Sequence, residues 1–243
     1  MRRRWHFYSV VLVACLCCVL SLGQQASASS EFSALRYHAT VVNGNLVGSA
    51  FALSTTIAVT NAHVVEGLSA GQNVDLVVSS SGNPKIVASV LAISRRMDLA
   101  VLRVPPGFLP PVSNRTVKSQ AGMPIVAAGV DASGGRHSGK RLALLGQVRI
   151  PVRDIDVFGP GLIAGIPGVR PGFSGGPVLD RSGHLVGMLT AIRRKESGRT
   201  GRAASRAADP QASQLSEEAY VLRAQAVRDE AERLIRFAST SDR

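Results

Sequence analysis

Four prolines in seven residues, Pro105-Pro106-Gly107-Phe108-Leu109-Pro110-Pro111, cut the 243-residue chain in two. Proline has no backbone N–H and fixes φ, so neither sheet nor helix runs through such a segment. It reads as a linker over 105–116. On its N-terminal side, short apolar runs alternate with turns: Tyr37 to Val42, Leu46 to Leu53, Thr56 to Thr60, Val74 to Val78, Lys85 to Ile93 and Leu99 to Val104. Asn43-Gly44-Asn45 is a strong hairpin signal between the first two. Beyond the linker the pattern resumes at Pro124 to Val130, Leu142 to Ile150, Gly161 to Ile166, Val178 to Leu179, His184 to Ala191 and Glu218 to Leu222. Two such sets predict an all-β molecule of two six-stranded antiparallel barrels, each of roughly 75 to 100 residues. Ala224, Val227, Ala231, Leu234 and Ile235 then follow helical spacing, predicting an amphipathic helix over 224–238 against the second barrel.

Residues 1–28 stand apart from this pattern. Arg2, Arg3 and Arg4 precede an apolar run from Phe7 to Leu22, and Ala26-Ser27-Ala28 offers small residues for cleavage. That is the layout of a secretory signal peptide, and the run is shorter than the roughly 20 residues of a spanning helix. The mature chain is therefore expected in the periplasm or the extracellular medium, without stable membrane insertion. Lipid attachment at Cys15, in Leu12-Val13-Ala14-Cys15, is a minor alternative. Cys15, Cys17 and Cys18 all lie in this segment, so the rest of the chain has no disulfide, thiol nucleophile or thiolate ligand.

The chain carries +12, or +9 once Arg2, Arg3 and Arg4 are set aside. Much of this charge falls in Arg193 to Arg206, among Gly, Ser and Ala, with no aromatic residues for base stacking. A solvated basic loop over 193–217 explains it better than a nucleic-acid site.

Chemistry concentrates in three segments. Pro171-Gly172-Phe173-Ser174-Gly175-Gly176-Pro177 surrounds a serine with glycines, which allow a sharp turn and free N–H groups for an oxyanion. A serine hydroxyl is a weak nucleophile until a base and an orienting group assist it. Thr60-Asn61-Ala62-His63-Val64-Val65 places a histidine at the end of one apolar strand. Met97-Asp98-Leu99-Ala100-Val101-Leu102 places an aspartate at the head of another. Gly172-Phe173-Ser174-Gly175-Gly176 also fits the nucleophile elbow of α/β-hydrolases, but that fold needs its acid and histidine after the serine. Only His184 follows, ten residues on, and the chain order excludes this rival.

Taken together, the three segments resemble the catalytic blocks of trypsin-like serine proteases, closest to the bacterial HtrA/Deg type. Gly48-Ser49-Ala50-Phe51 is similar to the strand that precedes the histidine in that family, and the resemblance runs from about Leu35 to Phe237. It implies a chymotrypsin-like fold and peptide or protein substrates cut through an acyl-enzyme. The catalytic residues would be Ser174 as nucleophile, His63 as base and Asp98 as its orienter. The oxyanion hole would be the N–H groups of Gly172 and Ser174, each worth about 3 kcal/mol of transition-state stabilisation. Thr190 corresponds to a hydroxyl residue near the buried aspartate, implying a donor to Asp98. Gly168, Leu189, Thr190 and Ala191 would line the specificity pocket. With no acid at its base, the pocket suits a small or medium apolar side chain.

Trypsin has an aspartate before its nucleophile, which pairs with a new N-terminus. Here that position is Phe173, so activation by that ion pair is not expected. The PDZ domain of many Deg relatives is not expected after the terminal helix. No histidine pair has metal-ligand spacing, and no cofactor or metal is implied. The rival from another class is a catalytically silent binding or chaperone-like protein on the same fold.

Overall fold

The computed structural model describes residues 33–78, 85–115, 117–132, 139–194 and 217–241. The expected signal peptide, the three cysteines and most of the basic loop lie outside them. Two closed six-stranded antiparallel barrels make up the fold. The first contains β1 (Ala39–Asn43), β2 (Leu46–Ala52), β3 (Ile57–Thr60), β4 (Asn73–Val77), β5 (Ile86–Ile93) and β6 (Ala100–Arg103). They close in the order β1-β2-β3-β6-β5-β4. The second contains β7 (Pro124–Val130), β8 (Arg141–Ile155), β9 (Gly159–Gly165), β10 (Pro177–Asp180), β11 (Leu185–Arg194) and β12 (Glu217–Arg223). These close as β10-β11-β12-β9-β8-β7, and helix α1 (Ala224–Ser241) follows.

Apolar residues run almost unbroken along the central strands because both strand faces are buried. Alternate residues divide the work. Ala50, Ala58, Ala88, Val90 and Leu102 fill the first barrel, while Phe51, Val59 and Val101 point to the junction between the barrels. In the second barrel Ile125, Ala127, Val178 and Val221 face inward, and Val126, Leu179, Tyr220 and Leu222 face the junction. Each large side chain buried there stabilises the assembly by roughly 1.5–3 kcal/mol, so the shared cluster holds the barrels as one body.

The β1–β2 hairpin closes on Gly44-Asn45, with Asn43 paired to Leu46 and Gly44 at φ +58°. Two-residue hairpin turns of this kind need positive φ, which glycine meets without strain. The proline-rich segment is pinned to the first barrel: Leu109 is buried with Ala39 and Ala52, and Val112 N–H donates to Ala52 O at 3.0 Å.

Two elements differ from the sequence-based expectation. β8 continues to Ile155 rather than stopping at Ile150. The β8–β9 register shifts between Ile150 and Arg153, which accommodates Pro151 without a ladder hydrogen bond from its nitrogen. Helix α1 packs on β11 and β12 as expected, and equally against β5 and β6 of the first barrel. Ala224, Val227, Ala231 and Leu234 are its buried face. Among the described residues, no helix is long and apolar enough to cross a membrane. No group of three or more possible metal ligands occurs among them either.

Candidate active site

β3 ends at Thr60, and the chain turns through Asn61 into a short 3-10 helix, Ala62–Val65. Val64 and Val65 point into the first barrel, which leaves His63 exposed on the opposite side. Asn43 Nδ2 secures the far end of this turn by donating to Val64 O at 3.3 Å and Glu66 O at 3.0 Å.

Asp98 arrives from a second turn, at the head of β6. Ser94 Oγ organises that turn by accepting from the N–H groups of Arg96 (3.0 Å) and Met97 (3.2 Å). Asp98 N–H donates to Phe158 O of the second barrel at 3.0 Å, and its side chain is only 9% exposed. Both carboxylate oxygens are engaged by one residue: Oδ1 accepts from His63 N–H at 3.0 Å, and Oδ2 meets His63 Nδ1 at 2.7 Å. A carboxylate can only accept, so the proton of the neutral ring sits on Nδ1 and the Nε2 lone pair is left outward.

Ser174 comes from the second barrel, in the loop between β9 and β10. Gly172 has φ +100° and Gly175 φ +85°. A Cβ at Gly172 would lie 2.3 Å from Val130 O, so the loop is pressed onto the end of β7. The loop's carbonyls have donors: Ala132 N–H to Pro171 O (3.3 Å), Ser49 Oγ to Gly172 O (2.6 Å) and Ser49 N–H to Ser174 O (2.8 Å). The N–H groups of Gly172 and Ser174, by contrast, have no acceptor among the described residues. Two unengaged donors two residues apart are suited to an oxyanion. Ser174 Oγ donates to Thr190 O at 3.2 Å, and no hydrogen bond joins it to His63.

Residues 48–188 match the trypsin-like peptidase domain, a span that includes His63, Asp98 and Ser174. The chain belongs to the trypsin-like peptidases. Among relatives of this peptidase, y4bJ of Sinorhizobium fredii is 31% identical over 138 residues, which cover 55% of the chain and 20% of y4bJ. HhoB of Synechocystis is 31% identical over 165 residues, covering 62% of the chain and 36% of HhoB. The chain thus spans about a fifth and about a third of these relatives. In structure, the peptidase is similar to the active form of the Rv3671c protease from M. tuberculosis, with TM-score 0.64 and 21% identity over 86% of this chain and 83% of that one. It is also similar to the HtrA-type protease AlgW with tripeptide, with TM-score 0.66 and 19% identity over 86% and 63% of the two chains.

The protein positions its glycine-rich loop with residues to which the sequence assigned no role. His38, read only as a strand residue, is fully buried. Arg141 Nε donates to His38 Nδ1 at 3.1 Å, so the ring proton lies on Nε2, which donates to Ser49 Oγ at 2.8 Å. Ser49 Oγ in turn donates to Gly172 O. A chain of single-direction hydrogen bonds therefore runs from Arg141 to the loop next to Ser174. Burial, with Arg141 second, pushes the His38 pKa down to about 3. Between pH 6.5 and that value the unfolded chain takes up a proton that the folded protein refuses. Stability should then fall as pH drops, by about 2 kcal/mol from pH 7 to pH 5. Denaturant titrations at the two pH values check this, since His38→Gln keeps both hydrogen bonds but should lose that part of the pH dependence.

Thr190 is buried, but its hydroxyl does not donate to Asp98 as the resemblance implied. Asn61 stands between them, its Nδ2 donating to Thr190 Oγ1 at 3.0 Å and to Asp98 O at 2.7 Å, and Thr190 Oγ1 donates to Met188 O at 3.4 Å. The reason is steric: Asn61 is fully buried and occupies the space between the two. The other three candidate pocket residues differ in exposure. Gly168 lies in an exposed turn at φ +77°, its carbonyl accepting from Arg170 Nε at 3.0 Å. Leu189 is inside the second barrel with Phe173 and Val169, and Ala191 is partly buried beside a bulge in β11. Phe173 is fully buried, and a Cβ at Gly129 would come within 2.3 Å of its ring. Where trypsin places a carboxylate, this protein has an apolar plug.

Proposed function

We propose that the protein is an exported serine endopeptidase that hydrolyses peptide bonds through an acyl-enzyme on Ser174. The observation that carries this reading is the double engagement of Asp98 with His63, which leaves the Nε2 lone pair available as a base. Catalysis requires Ser174 Oγ to leave the Thr190 carbonyl and reach that nitrogen; such bonds are often slack without substrate. His63 then accepts the hydroxyl proton as Oγ attacks the scissile carbonyl. The N–H groups of Gly172 and Ser174 stabilise the oxyanion, and Asp98 stabilises the imidazolium. His63 passes its proton to the leaving amine. A water, deprotonated in turn by His63, releases the acyl group and restores Ser174.

Peptides with a small or medium apolar residue before the cut are the proposed substrates, a preference that rests on the resemblance and on the lack of an acidic residue among Gly168, Leu189 and Ala191. Phe173 removes any call for an N-terminal ion pair in activation. The bond from Ser174 Oγ to Thr190 O favours a second reading, a protease-fold protein that binds without cutting. A fluorophosphonate probe separates the two. The wild-type protein should label stoichiometrically and Ser174→Ala should not, whereas an unlabelled wild type would make the silent reading the correct one.

A further inference from the structure

A groove of about 900 Å³ runs between β5 and helix α1, away from Ser174. Its floor is apolar, from Leu91 and Leu234, and Phe237 stands at its edge with 60% of its surface exposed. Four arginines surround that floor. Arg95 and Arg96 come from the turn ahead of β6, Arg103 from the end of β6, and Arg233 from α1. No carboxylate lines the groove among the described residues. Glu230, behind Arg233, is buried and already engaged, by Arg233 Nε at 2.7 Å and by the Ser94 hydroxyl. Arg95 and Arg103 are exposed and pair with no carboxylate among the described residues.

Like charges gathered around an apolar floor create a positive potential that a ligand of opposite sign relieves, and the floor adds a demand for an apolar body. We propose that this groove docks an acidic segment of a partner protein, one in which Glu or Asp side chains flank a large apolar residue. Charge excludes the occupants nearest to hand. Segment 195–216 of this chain has four basic and two acidic residues, and a second copy brings +12, or +9 without Arg2, Arg3 and Arg4. Nucleic acid would meet the arginines, but its phosphates would leave Leu91, Leu234 and Phe237 uncovered. The wall formed by Arg95 and Arg96 belongs to the turn that ends at Asp98, so the docked segment lies next to a candidate catalytic residue.

Binding can be read without any assumption about catalysis, by fluorescence anisotropy of a short labelled peptide with glutamates around one phenylalanine. The Ser174→Ala protein keeps the peptide intact. Saturable binding is expected. It should weaken about tenfold or more when Arg95→Glu and Arg103→Glu are combined, and several-fold in Phe237→Ser, because the first removes the charge match and the second the apolar contact. All three positions are exposed, and an unchanged far-UV spectrum and Tm would establish that the variants fold. The proposal is overturned if the peptide does not bind or if the double variant binds it equally well. It is also overturned if a DNA oligonucleotide of the same charge binds as tightly and Phe237→Ser has no effect, since the groove is then a general polyanion patch.

Discussion

Asp98→Asn should lower kcat/KM for peptide hydrolysis by about 10⁴-fold while leaving the fold intact. The reason lies in how the two oxygens are used. Oδ1 takes His63 N–H and Oδ2 faces His63 Nδ1, so both positions call for an acceptor. An asparagine has one acceptor oxygen and one amide group that donates. If its oxygen keeps the backbone N–H, its NH₂ faces Nδ1, and the ring proton moves to Nε2. The nitrogen that should take the Ser174 proton is then already occupied. Packing changes little, because the side chains are nearly isosteric and the Asp98 main chain keeps its bonds to Phe158 O and from Asn61 Nδ2. Kinetics with a chromogenic peptide and thermal unfolding of both proteins provide the check. A loss below tenfold, with the fold unchanged, would mean that Asp98 does not orient His63.

Gly175→Ala is expected to be among the most destabilising single changes, at about 3–5 kcal/mol, and to abolish activity. Two effects add. The residue has φ +85°, a conformation that costs an L-residue roughly 1–2 kcal/mol. In addition, a Cβ would lie 2.1 Å from Ser49 O and 2.5 Å from Thr60 Oγ1. Both atoms belong to the first barrel and are themselves linked, since Thr60 Oγ1 donates to Ser49 O at 2.7 Å. The methyl group therefore has no room unless the barrels part or the Ser174 loop moves. Gly44→Ala supplies the comparison: its φ is also positive, at +58°, but nothing lies within 4 Å of the added Cβ. It should lose only about 1 kcal/mol. Equal losses in urea titrations of the two variants would rule out the clash as the larger effect.

Much of the architecture is written locally. The Gly44-Asn45 turn, the two-residue alternation of strands such as Val74–Leu76 and Ala88–Val90, and the spacing of Val227, Ala231 and Leu234 are set by neighbours in sequence. The same holds for the glycines around Ser174, whose positive φ values the segment anticipates. The continuation of β8 past Ile150 was not legible, because a bulge depends on the partner strand, which the sequence does not display.

Residues that act across the junction were legible only as types. Nothing around His38 distinguishes it from any strand histidine. Its role comes from Arg141, 103 positions away, and from Ser49, which binds a carbonyl 123 positions further on. Asn61 sits inside the block that contains His63, yet its bond to Thr190 spans 129 residues. Ser94 and Glu230, which tie the Asp98 turn to α1, are 136 apart.

The sequence by itself determined two barrels, a terminal helix and three chemically matched segments, because strand period, turn chemistry and residue type act over a few bonds. Only the tertiary structure decided which oxygen of Asp98 meets which nitrogen of His63, which tautomer His38 adopts, and where the arginines of β6 and α1 converge. Hydrogen bonds and charge pairs depend on ångström-scale positions in space, and the closure of two barrels brings those positions together from distant parts of the chain.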